Sequence, residues 1–72
     1  MEDELRGQIE EELKHQREEL ASQERFLSQL RNMRTNLLQQ GYSTGSVDGL
    51  ITAWEDNAAH VRNLIDRLEN EL

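Results

Sequence analysis

No cysteine occurs anywhere in this chain, so it forms no disulfide and offers no thiolate as nucleophile or metal ligand. Proline is absent too, which leaves the four glycines as the only strong breaks. No apolar run exceeds two residues, so no segment has the length of a membrane span or the apolar centre of a signal peptide. Together these absences predict a cytoplasmic chain. Aromatic residues are scarce as well: Phe26, Tyr42 and Trp54 stand alone of their kinds. At 72 residues the chain makes one domain at most, and a core of that size is marginal without disulfides, a metal or a second chain.

What is present is charge, unevenly placed. The formal net charge is -7. Through Glu24, nine acids (Glu2, Asp3, Glu4, Glu10, Glu11, Glu12, Glu18, Glu19, Glu24) stand against Arg6, Lys14 and Arg17, for a net of -6; from Arg25 onward six acids oppose five bases, for -1. An acidic first third repels a phosphate backbone, so no nucleic-acid partner is expected. A solvated face that keeps a small coiled coil in solution is its simplest reading.

Apolar residues recur at helical spacing in two segments, roughly 3–40 and 47–72, separated by Gly41-Tyr42-Ser43-Thr44-Gly45-Ser46. In heptad terms the first segment has Leu13, Leu20 and Leu27 at a with Ile9, Leu30 and Leu37 at d; the second has Ile51, Ala58, Ile65 and Leu72 at a with Val47, Trp54, Val61 and Leu68 at d. Folding back at Thr44 pairs Leu20 with Leu68, Leu27 with Val61, Leu30 with Ala58 and Leu37 with Ile51. The flanking e positions, which play no part in choosing this register, then oppose Arg17 to Glu69, Glu24 to Arg62 and Arg31 to Glu55. The reading is therefore all-α: an antiparallel, coiled-coil-like helical hairpin in a single unit, residues 1–72.

Helix ends follow from local chemistry. Gly41 reads as the left-handed C′ residue of a Schellman stop, with Tyr42 at C″ packing on Leu37. Ser46 is the best N-cap for the second helix, with Ser43 or Thr44 as caps one turn earlier, and Asp48 complements the helix dipole. Gly7 loosens the start of the long helix, and fraying before it would be unsurprising, although the helix is read from about residue 3.

Two surfaces are left without a partner in a lone hairpin. Leu72 falls opposite Gln16, so Leu5, Ile9 and Leu13 form an apolar stripe on an overhang that one helix cannot bury alone. On the flank opposite the charge pairs, the g positions carry Phe26, Met33, Leu50 and Leu64. The seam also sets Gln23 against Ile65 and Gln16 against Leu72, which a rotation of Ile65 and Leu72 toward the g side would relieve if a further helix lay there. A four-helix bundle, completed by dimerisation or by docking on a partner, is the expected assembly, with Leu5, Ile9, Leu13, Phe26, Met33, Leu50 and Leu64 at the interface.

No catalytic constellation can be assembled, so the chain reads as non-enzymatic, with no small-molecule substrate and no cofactor. Glu12 and His15 have the Glu-x-x-His spacing of di-metal carboxylate bundles, but His60 has Asn57 at the matching offset and both histidines fall outward, so no metal is expected. Trp54 at d faces Arg34 at a, predicting a guanidinium stacked on the indole. The functional expectation is a protein-protein interaction module: an adapter, assembly factor or small chaperone whose apolar flank and acidic overhang pack on partner helices. The alternative is a self-assembling structural subunit, a homodimeric four-helix bundle. RNA-binding helical hairpins share the architecture, but the acidic surface opposes that reading. Small secreted helical hairpins with a Trp-x-Gly turn share the outline; this chain has no such turn.

Overall fold

A computed structural model describes residues 2–72. Two helices, α1 (Glu2–Gln39) and α2 (Gly45–Asn70), run antiparallel, and among the described residues there is no strand. The Cα trace measures 60 × 14 × 12 Å, so the molecule is a rod of two helices' thickness. The expected helices at 3–40 and 47–72 thus hold to within two residues at each end.

The stop of α1 follows the Schellman pattern. Gly41 has φ +80°, the Tyr42 N–H donates to the Leu37 carbonyl at 2.9 Å, and the Gly41 N–H donates to Leu38 at 3.1 Å. Tyr42 itself is 63% exposed, so backbone hydrogen bonds rather than an apolar contact carry this stop. The start of α2 departs from expectation: Ser46 is not the cap, because the helix begins at Gly45 with Thr44 at the N-cap position. Thr44 makes no side-chain cap bond; its hydroxyl instead donates to the Asp48 carboxylate at 3.0 Å, while the Asp48 N–H donates to the Thr44 carbonyl at 2.8 Å. Engagement of the Thr44 hydroxyl by a carboxylate one turn on explains why it makes no side-chain cap bond. At the other end, α1 is helical from Glu2 straight through Gly7, as the span read from about residue 3 requires. Glu2, Asp3 and Glu4 in its first turn favour that start by complementing the dipole.

The three ion pairs expected along the e flank form, although the seam itself is displaced. Arg17 reaches Glu69 at 3.1 Å, Arg62 reaches Glu24 at 2.7 Å, and Arg31 reaches Glu55 at 3.4 Å, all along one flank. Each pair is about half exposed and worth at most about 1 kcal/mol, so the row selects the pairing more than it stabilises the fold. Stability comes from the seam, where each fully buried aliphatic side chain contributes about 1.5–3 kcal/mol. Near the turn, Leu27, Leu30, Val47, Ile51 and Ala58 form one buried cluster, with Leu20, Leu37 and Trp54 packed against it. Toward the open end, Leu13, Val61 and Ile65 form a second, with Ile9, Leu20 and Leu68 around it. Leu27 belongs to the first cluster and Val61 to the second, so the expected Leu27 to Val61 pairing gives way to packing of Leu27 in the cluster that holds Ala58. With Gln39 and Gly45 at one level, α2 lies about four residues along from the expected seam pairing, which brings Leu27 level with Ala58.

The same point corrects Leu13. It is not an unpartnered overhang residue but, at 2% exposure, part of the hairpin core with Val61 and Ile65. Both helices rise about 1.5 Å per residue from a common level at Gln39 and Gly45, so Asn70, the end of α2, comes down to roughly residue 14 of α1 and Leu72 to roughly residue 12. The overhang is shorter than a count of facing pairs suggests, and Leu13 lies inside it no longer. Nor does Ile65 rotate outward: it is 7% exposed and sits in the seam, while Leu72 stays 46% exposed.

One polar group is enclosed in the seam. Gln23 is 5% exposed; its amide N–H donates to Glu19 at 3.3 Å, and its side-chain oxygen has no hydrogen-bond partner. An unmet buried acceptor of this kind costs about 1–3 kcal/mol.

Candidate functional site

The two long edges of the rod differ. The e edge is closed by the three cross-helix ion pairs, and nearer the turn Arg34 Nε pairs with Asp48 at 2.5 Å. The g edge carries no such row. Here Phe26 is 39% exposed, Met33 50% and Leu50 49%, around a half-buried Trp54. The Phe26 ring lies 4.8 Å from Trp54, centroid to centroid, at 53° between planes. Such tilted pairs contribute about 0.5–1.5 kcal/mol beyond their buried area.

This geometry replaces the expected stacking of Arg34 on Trp54. Arg34 turns to Asp48 on the other edge, because a charge-assisted hydrogen bond to a carboxylate outweighs an exposed cation–π contact. The Arg34 guanidinium first, and the Thr44 hydroxyl second, hold the Asp48 carboxyl below its ordinary value, against a small opposing effect of burial. With Arg34 removed to that side, the indole is free to take Phe26.

The other residues expected at an interface are placed less uniformly. With Gln39 and Gly45 level, Met33 and Leu50 come to about the same height on this edge, next along it from the Phe26–Trp54 contact. Leu64 is half-buried and, seven residues on from Asn57 in the g row, lies alongside Glu19 and apart from those side chains. At the open end Leu5 is 59% exposed and Ile9 half-buried, and with Glu2, Arg6, Glu71 and Leu72 they line a shallow groove of about 290 Å³. Leu38, 52% exposed, and Tyr42 are apolar surface that heptad reasoning passed over. Leu38 sits in the e row that Arg17, Glu24 and Arg31 make ionic, and its apolar break in that row was the available signal.

Among the described residues no group of three or more His, Asp or Glu side chains gathers as a metal cluster would. Glu12 accepts a hydrogen bond from the Gln16 amide at 2.7 Å, one turn along. Glu19 receives Gln23 in the same way one heptad later, so the lower g row is a pair of acidic Glu/Gln ladders. Within the described residues no helix is long and apolar enough to cross a membrane. Comparisons with protein-family models, with curated proteins and with solved structures give no match.

Proposed function

We propose that this chain is a non-enzymatic protein-protein interaction module, a helical-hairpin adapter or assembly factor that lays its g flank on helices of another chain. The asymmetry of the two edges carries this reading. One edge is closed by Arg17, Glu24 and Arg31 with their partners, while the other exposes Phe26, Met33 and Leu50 around Trp54. Large apolar and aromatic side chains grouped in this way are the usual anchors of helix-to-helix docking, and each can be worth about 2 kcal/mol or more when buried. The acidic arm and its end groove add a second contact region with the opposite electrostatic character. In the alternative, self-assembling reading, a second copy occupies the same flank.

The test compares the immobilised full chain with a Phe26→Gln, Met33→Gln double variant and with a Glu11→Gln, Glu18→Gln variant, all checked for equal helicity. An extract of the source cells is passed over each. Retention of a protein that falls at least ten-fold in the apolar variant and is kept in the acidic one supports the proposal. Retention lost only in the acidic variant would assign the interaction to the charged face, and equal retention by all three would remove it from the flank.

A further inference from the structure

We infer that the flank of Phe26, Trp54, Met33 and Leu50 is covered by a second copy of this chain. The copies pack antiparallel about a two-fold axis perpendicular to the rod, so that their turn-proximal halves overlap and their acidic arms point apart. This rests on the reading of the flank as an interaction surface, takes that reading in its self-assembling form, and adds the geometry.

Surface area is the first argument. The chain exposes 5596 Å². A compact monomer of 8.4 kDa exposes about 4,600 Å², so this one carries roughly 1,000 Å² more. Stable interfaces take about 800 Å² from each partner. The excess arises because the rod is two helices thick, and a second rod laid along one edge removes it. Another hairpin of the same chain supplies a matching length and a matching apolar patch, and a two-fold axis sets that patch on itself.

Charge along the g edge then selects the direction. Going from the open end to the turn, the α1 side of that edge reads Glu12, Glu19, Phe26, Met33, and Glu71 lies on the α2 side near the open end. In a parallel pair, turn beside turn, these three carboxylates would face their own copies in addition to the net charge each chain carries. In the antiparallel pair, an axis between Phe26 and Met33 places patch on patch and carries each acidic half past the other copy's turn. Glu19 and Leu64 of each copy then come alongside the turn containing the exposed Tyr42. The overlap is about 36 Å long, with both arms projecting beyond it. Those arms, with the groove between Leu5, Ile9 and Leu72, remain open at the two ends of the assembly.

The absence of native cysteine makes the geometry measurable on the full chain. Single variants Ser43→Cys, at the turn, and Ala53→Cys, near the proposed axis, are each spin-labelled, and inter-label distances are recorded at a concentration where light scattering reports a dimer. The antiparallel pair predicts Ala53 labels within roughly 25 Å and Ser43 labels about 40 Å apart. Short distances for both labels mean a parallel pair and overturn the proposal. A single-chain mass with no dipolar signal at several hundred micromolar overturns it as well. The interaction-module reading survives that second result if retention of another protein still depends on Phe26 and Met33, and falls with it if that retention does not. Thermal midpoints of the labelled variants matching the unlabelled chain guard against perturbation by the labels. Adding Phe26→Gln and Met33→Gln to the Ala53→Cys chain should abolish its short distance while helicity is retained, and a short distance that persists would overturn the assignment of this flank.

Discussion

Phe26 and Trp54, 28 positions apart in sequence, meet with ring centroids 4.8 Å apart. The contact ties an exposed flank position on α1 to a seam position on α2, so Phe26 acts both within one hairpin and on whatever covers it. Phe26→Gln should therefore destabilise the single hairpin by about 0.5–1.5 kcal/mol, the worth of the aromatic pair, while leaving both helices formed. Urea unfolding at low concentration, followed by circular dichroism, measures it. A loss near 4 kcal/mol would mean that Phe26 is a core residue.

The Arg62 to Glu24 pair, at 2.7 Å, has the shortest contact of the three e pairs. Reversing Glu24→Arg should destabilise by a few tenths to about 1 kcal/mol, and adding Arg62→Glu should restore most of it. Coupling in a double-mutant cycle checks the pairing directly. No coupling at this pair, at Arg17 with Glu69 and at Arg31 with Glu55 would reject the register.

Leu13 and Leu5 separate the true end of the hairpin from its overhang. Leu13→Ala should cost about 2–4 kcal/mol, because it opens a cavity beside Val61 and Ile65. Leu5→Ala, at a site 59% exposed, should lie within about 0.5 kcal/mol of the parent. Denaturant melts of the two variants decide the point, and equal small effects would mean that α2 does not reach Leu13.

These residues also show what the sequence makes legible. The hairpin could be read because its constraints are periodic: apolar spacing fixes the seam, and three charge pairs fall into step along one edge without having been used to choose it. Gly41 was readable because a left-handed residue after a helix has a strong chemical preference. Leu13 was not, since it depends on absolute level along the rod, which leaves no periodic mark; at the start of α2 both Thr44 and Ser46 had cap chemistry, and composition alone ranked them wrongly. Arg34 had two partners within reach, Trp54 and Asp48, and spacing alone did not rank them. The g flank stood out in the pattern, but which of its members form one patch depended on where Asn57 interrupts the row.

Asp48 gives a pH signature. Its folded-state value is depressed by Arg34 and Thr44, so its contribution is present above the ordinary aspartate value of about 3.9 and is lost as pH falls through the lower folded value. Arg34→Gln removes the main cause. Between pH 5 and pH 3 the parent should therefore lose more thermal stability than Arg34→Gln, and the Asp48 carboxyl resonance should titrate at higher pH in the variant. An unchanged titration would mean that the ion pair is not kept in solution.

The most direct measurement is solution mass by light scattering over rising concentration, with the emission of Trp54 recorded on the same samples. This lone indole lies at the centre of the g flank, so its wavelength reports whether that flank is covered. The account predicts a mass approaching twice that of the single chain, a shift of emission to shorter wavelength over the same concentrations, and loss of both in Phe26→Gln, Met33→Gln. A single-chain mass and constant emission throughout, identical in parent and variant, would contradict it.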